Sequence, residues 1–132
     1  MKRALPGINI QFPISQSIVS GEKTVETRTY PIPLGYVDKD LYLIETPGKD
    51  GNFKARVIAV IRFGESFPYK SKTEFHKDFK RHLVKPGSKW DWAKKPKWGW
   101  PIKWVKVIRP RQPLPGPRGI KFTKSVSLST EL

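Results

Sequence analysis

The chain contains no cysteine, which excludes disulfides and thiolate chemistry and restricts metal ligands to histidine and carboxylates. Histidine is also scarce: His76 and His82 are six apart, a spacing that does not put them on one helical face, so no zinc site and no other cofactor is expected, and a divalent-metal requirement stays open. Long apolar runs are missing as well. No stretch approaches the roughly 20 apolar residues of a membrane span, and the N-terminal ALPGINIQFPIS is broken by prolines and does not read as a signal peptide. The expectation is a cytoplasmic protein with no membrane partner.

The last deficit is acidic charge. Eleven Asp and Glu face 26 Lys and Arg, a net charge of +15. The imbalance is local: residues 1–65 hold nine basic against seven acidic residues, residues 66–132 seventeen against four, so thirteen of the fifteen net charges fall in the second half. A one-signed surface repels itself unless a polyanion neutralises it, and release of counterions from phosphates is the usual gain. RNA or DNA is the first partner to consider, with an acidic protein as an alternative; a membrane-surface role would call for a basic amphipathic helix with a clean apolar face.

What is present fits one domain spanning 1–132. Hydrophobic content is 37%, and 13 prolines with 10 glycines imply short elements joined by stiff turns. Ile8, Ile10 and Phe12 alternate as a first strand over 7–12. Pro13 opens a short helix with Ile14, Ile18 and Val19 at helical spacing, and Gly21 stops it. Residues 24–29 alternate and are β-branched, and 30–36 is a Pro-rich loop. Residues 41–46 and 53–63 read as a hairpin, its second strand with a continuous apolar centre that implies burial on both sides. Residues 71–83 read as one amphipathic helix, with Ser71 as N-cap and Phe75, Phe79 and His82 or Leu83 on its apolar face. A Trp/Lys-rich loop over 85–98 is followed by strands near 100–110 and 120–128. Five or so strands with two short helices, mainly β with short helices, point to a small closed or nearly closed β-barrel.

The stretch GEKTVETR, residues 21–28, straddles the helix end and the second strand. Side chains two apart on a strand share a face, so Glu26 and Arg28 point one way. Lys23 lies at the mouth of that strand. The three form either a compact base, acid and phosphate ligand, or a solvated helix end beside a structural ion pair. A desolvated lysine has a lowered pKa and can act as a base or stabilise a phosphorane, Arg28 can hold a phosphoryl oxygen, and Tyr30 or Tyr36 can donate a proton.

GEKTVETR resembles the G-x-K-x-x-E-x-R motif of the ASCH domain family, small β-barrels of the PUA-like superfamily, and GWPIKWVKVIRPRQPLPGPRGIKF, residues 99–122, is similar to the family's closing segment. The resemblance covers most of the chain and implies a PUA-like barrel associated with RNA. Relatives include readers of modified RNA, an amidohydrolase that removes the acetyl group of N4-acetylcytidine, and members with ribonuclease behaviour. The amidohydrolases match at Lys23 but carry their nucleophilic threonine where this chain has Glu26, with Thr24 and Thr27 out of register; Glu74 is the nearest match to their catalytic glutamate. The expectation is therefore an RNA-binding protein acting as a ribonuclease through Lys23, Glu26 and Arg28, with Tyr30 and Glu74 as further catalytic candidates. The alternatives are a non-catalytic module for RNA or a modified nucleotide, and, since Glu26 displaces the threonine, less readily a deacylase.

Flat rings beside cations suit RNA that is single-stranded or has exposed bases. Lys89, Trp90, Trp92, Lys94, Lys95, Lys97 and Trp98 supply that pattern in the loop, and Lys77, Lys80 and Arg81 on the helix offer phosphate contacts. Trp100 and Trp104, on a strand, read as core residues. Nothing in the sequence indicates an oligomeric state.

Overall fold

The computed structural model describes residues 3–128. Its strands are β1 (Arg3–Gln11), β2 (Val25–Arg28), β3 (Asp40–Thr46), β4 (Arg56–Phe63), β5 (Phe67–Pro68), β6 (Trp98–Pro113) and β7 (Phe122–Leu128), and its helices are α1 (Ile14–Val19), α2 (Lys72–Lys77) and α3 (Phe79–His82). They form one sheet in the order β2-β6-β4-β3-β1-β7, with β5 appended to β6. All neighbours run antiparallel except β1 and β3.

The β3–β4 hairpin lies in the middle of this order and is buried on both faces, as its unbroken apolar run predicts. Leu41, Leu43, Ala59 and Ile61 pack on one face with Ile8, Ile18, Phe63 and Trp100. Tyr42 and Val60 pack on the other with Ile108 and Val126. Helix α1 is bolted to β3 by a carboxylate with no solvent exposure. Glu45 accepts from Ser15 Oγ at 2.6 Å and Arg56 Nε at 2.8 Å, and from Gln16 Nε2. Burial pushes the Glu45 carboxyl up, but those donors pull it further down, below its ordinary value.

Four expectations change. The sheet is not a closed barrel: β2 and β7 end the strand order and do not pair with each other. The helix over 71–83 is two helices meeting at Asp78. Ser71 caps the first as expected, accepting from Glu74 N at 3.1 Å, but the break leaves Phe79 38% exposed while Phe75 and His82 are buried. Trp98 belongs to β6, opposite Arg28 and Pro68, and not to the preceding loop. Trp104 is 39% exposed, with Arg62 over its ring at 5.4 Å, whereas Trp100 is fully buried as expected. A strand with one solvated face puts neighbours at even spacing on that same face, but the irregular register of β6 against β4 breaks the count between Trp100 and Trp104.

Because the folded state holds Glu45 below its unfolded pKa, its contribution is complete above about pH 4.5 and is lost as pH falls through the folded value. Glu45→Gln is expected to be less stable than the parent at pH 7 and to show a flatter loss of stability on acidification. Urea unfolding at a series of pH values measures both.

Candidate functional site

Gly21 closes α1 with φ 85°, a left-handed conformation that costs glycine little, and the chain turns there into β2. Lys23 N then donates to Ser17 O at 2.9 Å and Thr24 N to Arg81 O at 2.9 Å, so the segment is clamped between α1 and α3. Among the described residues, strand β2 pairs with a neighbour, β6, on one edge only. On its other edge the Thr27 N–H is satisfied by a side chain, donating to Glu26 Oε1 at 3.1 Å.

That free edge faces a cavity of about 640 Å³, whose lining includes Asn9 of β1 as well as Lys23, Glu26 and Arg28. It occupies the seam where β2 would have to meet the far side of the sheet for a barrel to close. Glu26 is the centre of the cluster: Arg28 Nη2 stands 3.1 Å from its Oε2 and Lys23 Nζ 3.6 Å from its Oε1. Lys23 also donates to the backbone carbonyl of His82, and Arg28 to Asn9 O at 3.1 Å and to Tyr30 Oη at 3.3 Å. The guanidinium lies 5.5 Å from the Trp100 ring centroid.

Lys23 and Glu26 are only 5% and 7% exposed, so burial sets their electrostatics. Desolvation lowers the lysine pKa, and the neighbouring Glu26 offsets only part of that. Desolvation pushes the Glu26 carboxyl up, but Arg28 and Lys23 together hold it below the usual carboxylate range. The result is a fixed carboxylate beside an amine that gives up its proton more readily than a surface lysine.

His82 supports the floor. Its Nε2 lies 2.6 Å from Phe75 O and its Nδ1 accepts from Val84 N at 2.9 Å, so both ring nitrogens are engaged by backbone in the neutral form. It is a structural residue; among the described residues no cluster of three or more His, Asp or Glu has the arrangement of a metal site.

The mouth is formed by two loops. From one come Lys85 and Trp90, the latter 43% exposed with Lys89 Nζ 4.7 Å from its ring centroid. From the other come Arg118 and Ile120, the latter 94% exposed. Asn9 Nδ2 ties this second loop down through Gly119 O at 2.8 Å and Ile120 O at 3.0 Å. A Cβ at Gly119 would stand 1.9 Å from Phe122 O, so the tight return into β7 requires glycine there.

The remaining sequence candidates disperse. Tyr30 sits behind Arg28, outside the cavity lining, and Tyr36 packs on Phe122 at 4.8 Å. Glu74 is exposed at the start of α2, accepting from Lys70 N at 3.4 Å, and is not brought to the cavity. Trp92 joins the small core of Tyr69, Phe75 and Val84. Lys97 is 8% exposed, its pKa lowered by desolvation. Lys77, Lys80, Lys89, Lys94 and Lys95 are exposed, as is Arg81, which pairs with Asp78 at 2.6 Å. Asn9, Lys85, Arg118 and Ile120 were not singled out from the sequence. For the last two, the PLPGPRG turn ahead of a strand was the available signal, since a stiff turn fixes where its flanking residues point.

Strand β2 places Glu26 directly opposite Trp100 of β6, so the two sequence segments that carry the family resemblance are neighbours in the sheet. No protein-family model matches the chain, and no curated protein matches it in sequence. Solved structures do. The crystal structure of ASCH from Zymomonas mobilis superposes with a TM-score of 0.70 at 16% identity, covering 90% of this chain and 85% of that one. A tyrosine-to-phenylalanine variant of the same Zymomonas mobilis protein gives 0.69 at 16% identity, covering 90% and 88%. The chain has the ASCH fold. At 16% identity the likeness concerns the fold alone.

Removing the carboxylate removes what raises the Lys23 pKa, so Glu26→Gln is expected to lower it further still. It also leaves the buried Lys23 ammonium and the half-buried Arg28 guanidinium without that counter-charge, a loss of up to about 3–5 kcal/mol, the figure for a broken buried pair. NMR titration of methylated lysines and urea unfolding test the two effects.

Proposed function

We propose that this ASCH-fold protein binds RNA and takes a single nucleotide into the Lys23–Glu26–Arg28 cavity. The observation that carries the reading is the combination, at one opening, of a cavity of about 640 Å³, a buried charged floor and a basic rim with an exposed tryptophan. The volume falls within the ~300–1,000 Å³ of small-ligand sites. A carboxylate has about four acceptor positions; Glu26 uses part of them on Thr27 N and Arg28 and can take a base N–H with the rest. The Lys23 amine, with three donors, spends one on His82 O and another toward Glu26, which leaves one for a base carbonyl or a phosphoryl oxygen. Trp90 offers a face for stacking, and Lys85, Lys89 and Arg118 attract the backbone.

Cleavage of the bound RNA is the second reading, and the lowered pKa of Lys23 favours it. A neutral amine there can accept the 2′-hydroxyl proton as that oxygen attacks the adjacent phosphorus, with Arg28 on a phosphoryl oxygen; the departing 5′-oxygen takes its proton from water. Tyr30, whose hydroxyl accepts from Arg28, lies outside the cavity lining.

Trp90→Ala is expected to weaken binding of single-stranded RNA by about 1–3 kcal/mol, the worth of one stacked base, in fluorescence anisotropy at fixed salt. RNA affinity unchanged in both Trp90→Ala and Arg28→Ala defeats the cavity reading. Parallel incubation of the parent and Lys23→Ala proteins, purified identically, with a labelled RNA pool separates the two readings. Loss of cleavage or nucleoside change in the variant alone makes the cavity catalytic, whereas intact RNA with both makes it a binding site only.

A further inference from the structure

A second cavity, of about 360 Å³, lies on the other side of α1 and takes no part in the site described above. Residues Ile14 and Ser17 of α1 face the first cavity, whereas Gln16, Val19 and the capping Ser20 face the second. The short helix is thus a ridge between them, and an α-helix with its side chains is about 10–12 Å across.

The second cavity is made by an interruption of the β4–β6 ladder. Val57 stands opposite Gln112 and Ala59 opposite Val107, so the single residue Ile58 faces the four residues 108–111. Bulges of this kind re-aim side chains and serve as built features of a sheet. Here Ile108 turns into the core, while Arg109 and Arg111 emerge, exposed, at the cavity wall. Among the described residues neither guanidinium has a carboxylate within ion-pair distance. Two carboxylates are tied to the lining. Glu45, on Gln16, is already neutralised by Arg56; Glu22 is hydrogen-bonded to Ser20 Oγ at 3.3 Å. Counted against Glu22, the two arginines still leave the cavity positive. Arginine pairs held by a rigid backbone and lacking a protein anion suit the planar, two-oxygen face of a phosphodiester.

We propose that the Arg109–Arg111 cavity is a second anion site, which holds a backbone phosphate of a polynucleotide that places a nucleotide a few positions along the strand in the first cavity; this rests on the RNA reading above. The strand would cross α1, a span that a few nucleotides cover, and the protein would bind RNA longer than one nucleotide more tightly than a mononucleotide.

The test compares the parent, R109Q/R111Q, and a charge-matched control, K39Q/K124Q, whose lysines are exposed and line neither cavity. Equal thermal melts establish that all three are folded. Probes are a 12-nucleotide single-stranded RNA, uridine 5′-monophosphate and inorganic phosphate. Expected are a roughly tenfold loss of 12-mer affinity for R109Q/R111Q, a salt slope shallower by about 0.7 for one lost phosphate contact on a single strand, unchanged mononucleotide affinity, and a smaller loss for the control. The proposal is overturned if R109Q/R111Q binds the 12-mer with the parent's affinity and slope, or if the control loses as much. If the parent binds neither RNA nor mononucleotide, the reading of the first cavity falls. The phosphate titration, followed on arginine Nε–Hε resonances, then decides the second: shifted Arg109 and Arg111 signals retain the anion site, and unmoved signals remove it.

Discussion

The burial of Glu26 between Lys23 and Arg28 is the constraint on which the site depends. Three charged groups stand in a water-poor cleft, and each is tolerable only because the others and a few backbone groups satisfy it. Such clusters contribute little net stability compared with an apolar core of equal volume, since desolvation consumes much of the attraction. Their presence therefore points to a use for the charges, and the opposed shifts of Lys23 and Glu26 are of the kind found where a protein binds or transforms a ligand.

The same triad explains why the sheet stays open. For a barrel to close, the free edge of β2 would have to present unpaired N–H and C=O groups to another strand. Instead the Thr27 N–H is spent on Glu26, and the Asn9 carbonyl of β1 accepts from Arg28. Side chains do what a ladder would have done, at a greater separation, and the space left over is the cavity. Lys23 fastens the third corner to α3 through His82 O, whose ring is itself locked by Phe75 and Val84. The cavity floor and the small aromatic core under α2 and α3 are thus coupled through one histidine, and a packing defect at Phe75 would reach the Lys23 amine through it.

Much of the fold was legible because local pattern and tertiary outcome agree. Alternation marked β1 and β2, the continuous apolar run of 57–61 marked a strand covered on both faces, and Pro13 and Gly21 bracketed α1. The short irregularities that the pattern missed share one cause. A break at Asp78, a four-residue bulge at 108–111 and a two-residue β5 are shorter than the window over which periodicity can be read, so the sequence pattern ran straight through them.

By itself the sequence determined which residue types were available and which lay on one face: Glu26 and Arg28 two apart on a strand, Lys23 at its mouth, thirteen of fifteen net charges in the second half. That much follows from chain chemistry and the period of a strand. Only the tertiary structure decided which of many basic and aromatic residues converge. It brought Asn9, Arg118 and Trp90 to one opening, sank Lys97 and Trp92 into the protein, left Glu74 outside the cavity, and set Arg109 and Arg111 around a second cavity. These placements rest on contacts between segments up to about a hundred residues apart, and no local propensity encodes such a contact.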